Sequence, residues 1–224
     1  MLLEYGLIIA GLLITIVAQI FVSSSYKKYK KVKTEKGMSG CEVAREILDK
    51  HGLENVYVTE TSGELSDHYD PARKVIRLSR DIFHGTTIAA ASVAAHEVGH
   101  AIQDKEGYGF MKFRSTMFPL VRISSYFGYI AIMIGLLASM MELFLIGIVL
   151  EVVILVFQLV TLPVEFDASR RAGIELEENG MLTKQEKNGS MKMLKAAAYT
   201  YVASVLTTLL QLARLILIYN NRRK

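Results

Sequence analysis

The chain has 224 residues, of which 51% are hydrophobic, and its formal net charge is +4. The lysines and arginines behind this charge flank apolar stretches, an arrangement that suits anionic lipid and argues against nucleic-acid binding. Cys41 is the single cysteine, which excludes an intrachain disulfide and fits a cytoplasmic domain.

The first element is a predicted transmembrane helix over residues 1–22. Residues 5–22 form an 18-residue stretch without a charged side chain, which is near the lower limit for crossing the hydrocarbon core. Glu4 stands where a cleaved signal peptide would have a basic start, and five lysines follow at residues 27–33. Because such clusters stay in the cytoplasm, we expect the N-terminus outside and the next segment inside.

Residues 23–122 are predicted to form a small cytoplasmic α+β domain. Apolar residues at helical spacing indicate a helix over residues 40–48. Short strands are expected at residues 55–60 and 74–79, with a turn at residues 70–73 before the second strand.

The same domain contains the sequence His-Glu-Val-Gly-His at residues 96–100, directly after a run of small residues at 89–95. We predict a single helix through both segments. His96 and His100 would then lie one turn apart on one face, where both imidazoles can reach one metal ion, with Glu97 beside the water that the ion holds. This is the layout of a zinc peptidase.

A buried helix without metal is the alternative for this motif. There the histidines would be satisfied by hydrogen bonds, and Glu97 would pair with Lys105 or another neighbour. A five-residue match of this kind also arises by chance in on the order of one in a hundred chains of this length. Gly99 favours the metal site, because a thin helix surface lets another segment approach closely.

Catalytic zinc has three protein ligands and one open position for water, so a third ligand is required. The metzincin extension is excluded, since Gln103 and Glu106 stand where it has glycine and histidine. No histidine follows His100 in the sequence. A ligand downstream of the motif must therefore be a carboxylate.

Glu165 is the favoured third ligand. Pro163 is suited to the first turn of a helix and follows a long apolar run, so we expect Glu165 at the start of a new helix next to the membrane. Without the motif, Glu165 would be read as a helix N-terminal acid or as an ion-pair partner of Arg170 or Arg171.

Residues 123–162 are predicted to form a transmembrane hairpin. Glu142 and Glu151 are the only charged residues in this segment, and its length suits two antiparallel spans with a turn near residues 141–142. Basic residues flank both ends, which places both in the cytoplasm and returns Glu165 to the side of the motif. Glu151 would lie near mid-membrane, as either a functional group or a hydrogen-bonded packing residue.

Four segments carry a family resemblance. Residues 66–71, 75–79, 93–104 and 162–169 look like the corresponding parts of YugP-type membrane zinc metallopeptidases, and the resemblance runs over nearly the whole chain. More distantly, the chain is similar to HtpX and the CAAX prenyl proteases, which are membrane gluzincins.

The resemblance implies a mainly α membrane protein, with transmembrane helices and a small α+β zincin-like (gluzincin) catalytic domain. It also implies one zinc ion held by His96, His100 and Glu165, with Glu97 as the general base. Residues 163–195 would form the third-ligand helix and a connector.

The C-terminal part has two possible placements. Residues 196–219 are apolar and are followed by a basic tail at 220–224. A fourth span would put the tail outside, against the charge rule, whereas a helix in the interface would keep it inside. A helix that enters the membrane is favoured, because relatives of this kind have several predicted spans.

Other candidate site residues surround the expected ligands. The distant relatives place an acid four residues after the ligand glutamate, but this chain has Ser169 there and its acid, Asp167, two residues after Glu165. On a regular helix Asp167 would point away from the metal. His68 and Tyr69 are candidates for stabilising an oxyanion.

Gluzincin relatives bind extended substrate along an edge strand beside the metal helix. Residues 74–79 or 64–69 would supply that strand here, and an ordinary hairpin is the alternative.

The predicted function is that of a multi-pass, membrane-bound zinc metalloendopeptidase with its site facing the cytoplasm. Its partners would be a peptide or membrane-protein substrate and the lipid bilayer, without nucleic acid. One alternative is a metal-stabilised membrane chaperone or adaptor without proteolysis. Another is a site-2-type intramembrane protease, which carries the motif in a full membrane helix and takes an aspartate ligand from a Leu-Asp-Gly segment that this chain lacks.

Overall fold

The computed structural model describes residues 2–223 and is mainly helical. In chain order, the described elements are α1 (Leu2–Tyr29), α2 (Gly40–Lys50), β1 (Tyr57–Thr61), β2 (His68–Asp70), β3 (Val75–Ser79), α3 (Arg80–Phe83), α4 (Ile88–Glu106), α5 (Gly109–Leu137), α6 (Met141–Glu178) and α7 (Lys184–Arg223). They fall into two compact units. The membrane unit comprises the chain up to residue 19, residues 112–163 and the chain from residue 199. The second unit, which we call the catalytic unit after its expected role, comprises residues 20–111 and 164–198.

The membrane unit is built from helices with the length and composition of membrane spans. Four helices of the described chain, α1, α5, α6 and α7, are long and apolar enough to cross a membrane. The favoured fourth apolar helix is thus present, as part of α7. The turn between α5 and α6 lies at residues 138–140, slightly before the expected position at residues 141–142.

Helix α6 continues through Pro163 without interruption. The expectation that Pro163 opens a new helix is therefore wrong, and Glu165 does not lie at a helix N-terminus. Proline inside a helix costs about 3 kcal/mol, but the next turns of α6 bury one face completely. This face comprises Val164, Ala168, Ala172 and Leu176, all 0% exposed. Burial at a spacing of four residues offsets the cost of the proline.

A three-stranded sheet of order β1-β3-β2 forms the β part of the catalytic unit. β1 pairs with β3 in parallel, and β2 pairs with β3 antiparallel across the turn at residues 71–74. Both expected strands are present, as β1 and β3, and β2 is an additional one. Residues 74–79 and 64–69 are the two candidates for a substrate-binding edge strand. β3, from the first segment, is the central strand and has no open edge. β2, which overlaps the second segment, lies at an edge of the sheet.

Helix α4 lies at the centre of the catalytic unit, with α2 and β2 among the elements packed on it. It begins after Thr87, whose side chain accepts a hydrogen bond from the Ala90 N–H, and it ends at Gly107 in the left-handed conformation. These are an ordinary N-cap and C-cap. Small buried side chains line its first half, at Ala89, Ala90, Ala91, Ala94 and Ala95.

Candidate metal centre

His96 and His100 lie on one face of α4, as expected from their spacing. Their ring centroids are 4.8 Å apart. The small-residue run at residues 89–95 forms the preceding turns of the same helix, which confirms the prediction of one helix through both segments. Lys105 donates to the backbone oxygen of His51. Lys105 is therefore not the ion-pair partner of Glu97 that the metal-free alternative named first.

Close contact between α4 and α6 brings the third donor to the histidines. A Cβ atom on Gly99 would lie 2.8 Å from the backbone oxygen of Ala168, so only glycine permits this approach. Oε2 of Glu165 lies 3.3 Å from Nε2 of His96 and 3.7 Å from Nε2 of His100. Donor atoms of the three residues all lie within 4.8 Å of one another.

This donor set fits zinc. Two imidazole nitrogens and one carboxylate oxygen are the ligands of one common class of catalytic zinc site, which keeps a fourth position for water. The Glu165 carboxyl is almost fully buried. Burial alone would raise its pKa, but hydrogen bonds with His100 and His96 hold the pKa well below its usual range. The glutamate is therefore in the ionised form that a metal ligand needs.

Glu97 lies beside this trio and is not one of its donors. Its side chain is buried, and burial raises its pKa to about 7, with an opposing effect from the charge of His96. The backbone N–H of Tyr69, on the edge strand β2, lies close enough to the Glu97 carboxyl to oppose this rise in pKa as well. A carboxyl group with a pKa near neutrality can both accept and return a proton.

Gln103 is a site residue that the sequence reasoning missed. It is fully buried, and its Oε1 lies 3.0 Å from Nδ1 of His100. Its Nε2 donates to the backbone oxygen of Val164 at 2.9 Å and to Oδ2 of Asp167 at 3.0 Å. The amide thus joins α4 to α6 and leaves Nε2 of His100 facing Glu165. Its position one helical turn after His100 is the sequence signal that could have identified it.

Asp167 does not touch either histidine, in agreement with its expected orientation. It accepts hydrogen bonds from Gln103, Arg170 and Arg171, and these bonds outweigh burial and lower its pKa. The two arginines that could have paired with Glu165 are instead bound to Asp167. Asp167 reaches His100 through the amide of Gln103.

Ser169 occupies the position where the distant relatives have an acid. Its Oγ lies 3.3 Å from Nδ1 of His96, one helical turn beyond Glu165. Each histidine therefore has a polar partner on its Nδ1 side, Ser169 for His96 and Gln103 for His100. The Gln103 oxygen can only accept, so it fixes the tautomer of His100 in which Nε2 is free to bind a metal, and the Ser169 hydroxyl is able to accept from His96 in the same way.

His68 and Tyr69 are not brought into the metal trio. The Tyr69 hydroxyl donates to Oδ2 of Asp104, and burial followed by this bond raises its pKa. His68 is exposed, with Nδ1 at 2.8 Å from the Ser66 oxygen and Nε2 at 3.4 Å from Arg77. Of these two residues, Tyr69 affects the Glu97 carboxyl through its backbone N–H, which lowers the pKa of that carboxyl.

Asp67 is a second residue that the sequence reasoning did not single out. Its carboxylate accepts from the backbone N–H of Ser79 at 2.6 Å and from the Ser79 hydroxyl at 3.2 Å. Burial nevertheless raises its pKa. Asp67 thereby fixes the start of β2 against the end of β3, which holds the edge strand beside Glu97.

Comparison with known proteins shows the family to which this chain belongs. Residues 5–220 match the family described as "Putative neutral zinc metallopeptidase", so the chain belongs to this family of zinc metallopeptidases. It is also similar to "Putative membrane protease YugP" of Bacillus subtilis (strain 168), with 44% identity over 217 residues that cover 97% of this chain and 96% of the relative. No solved structure matches the chain. The resemblance to YugP-type proteins is thus confirmed.

Proposed function

We propose that the protein is a membrane-bound zinc metalloendopeptidase. The observation that carries the proposal is the convergence of His96, His100 and Glu165, with Glu97 beside them and outside the donor set. Three ligands with a separate carboxylate are what hydrolysis by an activated water requires. The family description and the name of the relative both point to the same class of enzyme.

Glu97 is the residue that moves the proton. Zinc bound by the three donors would polarise the scissile carbonyl and lower the pKa of a bound water toward about 7. Glu97 takes a proton from the attacking water and delivers it to the leaving amine. Its raised pKa suits both transfers near neutral pH.

The edge strand β2 is the proposed substrate-binding element. β2 pairs with β3 on one side only, and the Tyr69 N–H lies close enough to the Glu97 carboxyl to lower its pKa. An extended peptide or unfolded protein segment that adds to this edge would place a backbone carbonyl near Glu97.

The catalytic unit is proposed to face the cytoplasm. The lysine cluster at residues 27–33 follows the first apolar helix, and clusters of this kind remain on the cytoplasmic side. Substrates would then be cytoplasmic peptides or the cytoplasmic parts of membrane proteins. A site-2-type mechanism is disfavoured, because α4 is not among the described helices that are long and apolar enough to span a membrane.

Zinc content and hydrolysis of a casein-like substrate, measured on the same Glu97→Gln preparation, test this proposal. We expect zinc to be retained while hydrolysis falls by a factor of roughly 100 or more, because a general base is lost. Glu54→Gln, which changes an exposed glutamate of the same unit, is the matched control. Unchanged hydrolysis by Glu97→Gln would refute the mechanism, and zinc-loaded wild type without hydrolysis would favour a chaperone or adaptor.

A further inference from the structure

A cavity of about 370 Å³ lies in the membrane unit between α5, α6 and α7. Its walls are largely apolar, but two charged residues line it, Glu151 on α6 and Arg214 on α7. Gln211, Ser125 and Tyr129 add polar groups to the same walls. Ionisable residues at such depth usually face a cavity that has a function.

In the part of the chain that the structure describes, the side chains of Arg214 and Glu151 have hydrogen-bonding groups without a partner. Nη1 of Arg214 donates to Oε1 of Gln211 at 3.3 Å, whereas Nε of Arg214 is buried without a partner. Neither Arg214 nor Glu151 takes part in an ion pair within the described residues 2–223. A buried N–H donor that lacks an acceptor is strongly unfavourable in an apolar medium. The cavity therefore favours a ligand that offers both an acceptor and a donor.

The depth of the guanidinium argues against a lipid headgroup as this ligand. Arg214 lies five residues before the apolar stretch ends at residue 219, and its bond to Gln211 directs the side chain further back along α7. At a rise of 1.5 Å per residue, Gln211 is about 12 Å from that end. Half the hydrocarbon core is about 15 Å thick, so the side chain runs toward the middle of the bilayer instead of toward the interface.

The helices around the cavity are packed closely, so it is not a sign of a loose bundle. A Cβ atom on Gly135 of α5 would lie 2.5 Å from the backbone nitrogen of Phe144 on α6. Phe144 and Ile148 form a buried cluster with Leu212 and Leu215 of α7. The cavity lies beside this buried cluster.

We propose that the cavity binds a membrane-inserted segment of a protein substrate at a point where the segment carries an unpaired amide. An amide offers a carbonyl oxygen to Arg214 and an N–H to Glu151, and Gln211 can serve either group. A regular transmembrane helix uses its backbone amides internally. The segments recognised are therefore those with a helix break or a mid-membrane Asn or Gln side chain. This inference rests on the proposed function, because it names the substrate class of the protease.

Binding of two matched peptides tests the inference. The protein carries Glu97→Gln to prevent cleavage and is placed in phosphatidylcholine nanodiscs. One labelled peptide is a leucine-rich transmembrane helix with a central Asn, and the other has Leu at that position. We expect the Asn peptide to bind about threefold to twentyfold more tightly, the range expected for a single polar contact in a membrane.

Arg214→Met and Glu151→Met should each reduce this preference, since each removes one of the two hydrogen-bonding partners of the amide, and the double variant should lose it. Both should still bind the all-leucine peptide as the parent does, which shows that the bundle is folded. Arg122→Met is the matched control, because Arg122 is an exposed arginine of α5 in the same unit and is not among the residues that line the cavity. Equal affinity of the parent for the two peptides, or an undiminished preference in both cavity variants, would overturn the inference.

The readout is independent of catalysis. Loss of the proposed peptidase activity would appear in the zinc and hydrolysis assay of Glu97→Gln, while the peptide preference is measured in protein that does not cleave. Failure of one proposal can thus be told from failure of the other.

Discussion

Gln103 accepts a hydrogen bond from His100 on one side of its amide and donates to the backbone oxygen of Val164 on the other. A single buried side chain thereby connects one histidine of the proposed metal site to the helix that carries Glu165. The orientation of His100 and the placement of α6 depend on the same residue.

Gln103→Leu should weaken zinc binding, by about tenfold to a hundredfold, the usual effect of removing a group that orients a metal-bound histidine. Leucine keeps the buried volume but leaves Nδ1 of His100 and the Val164 carbonyl without their partner. A chelator competition assay measures the zinc dissociation constant directly. Gln185→Leu, on an exposed position of α7, is the control. Equal zinc affinity of Gln103→Leu and wild type would show that Gln103 only fills space.

Glu165→Ala should lose most of its zinc and all detectable hydrolysis, because two histidines alone hold the metal weakly and leave its charge uncompensated. Metal content by mass spectrometry and proteolysis are measured on the same preparation. Glu178→Ala, at the exposed end of the same helix, should retain both. Full zinc occupancy with intact activity in Glu165→Ala would replace the proposed ligand set.

The sequence predicted the parts of the site whose signals are local. His96, Glu97 and His100 follow from spacing on a helix, and Glu165 follows from the lack of later histidines together with the family resemblance. Gln103 was missed because its role depends on the packing of α6 on α4. Only that packing brings the Val164 carbonyl within reach of the glutamine three residues after the motif.

The fold was predictable to a similar extent. Apolar length indicated the long helices, and short segments separated by a turn indicated β1 and β3. The three residues of β2 are too few to give a periodic signal, and they form a strand only through pairing with β3. The helix boundary predicted at Pro163 was wrong. Local propensity favours a helix start at proline, but the buried face from Val164 to Leu176 keeps the helix continuous.

Gly99→Ala should lower stability and zinc affinity together. The new Cβ would lie 2.8 Å from the backbone oxygen of Ala168, so α6 must move away from α4 and take Glu165 with it. Overpacking of this kind costs about 1–3 kcal/mol, which thermal unfolding and chelator competition should both detect. Gly109→Ala is the matched control, because nothing lies within 4 Å of a Cβ at that position. A variant with unchanged zinc affinity would argue that the contact does not position Glu165.

Glu97 should make the stability of the zinc-free protein depend on pH. Burial raises its pKa from 4.5 to about 7 in the folded protein. The folded state therefore holds a proton that the unfolded state has released between these two values. The resulting stabilisation is complete below about pH 4.5 and is lost as the pH rises through about 7, with a total on the order of 3 kcal/mol.

Thermal unfolding of chelator-treated protein at pH 5 and pH 8 measures this effect. Wild type should lose more stability than Glu97→Gln over that interval, because glutamine has no proton to release. The lowered pKa of Glu165 does not interfere, because the stability that it contributes is already complete above about pH 4.5 and is nearly constant between pH 5 and pH 8. Identical pH dependence of the two proteins would mean that burial does not hold the proton on Glu97, and its role as a proton carrier near neutrality would lose its support.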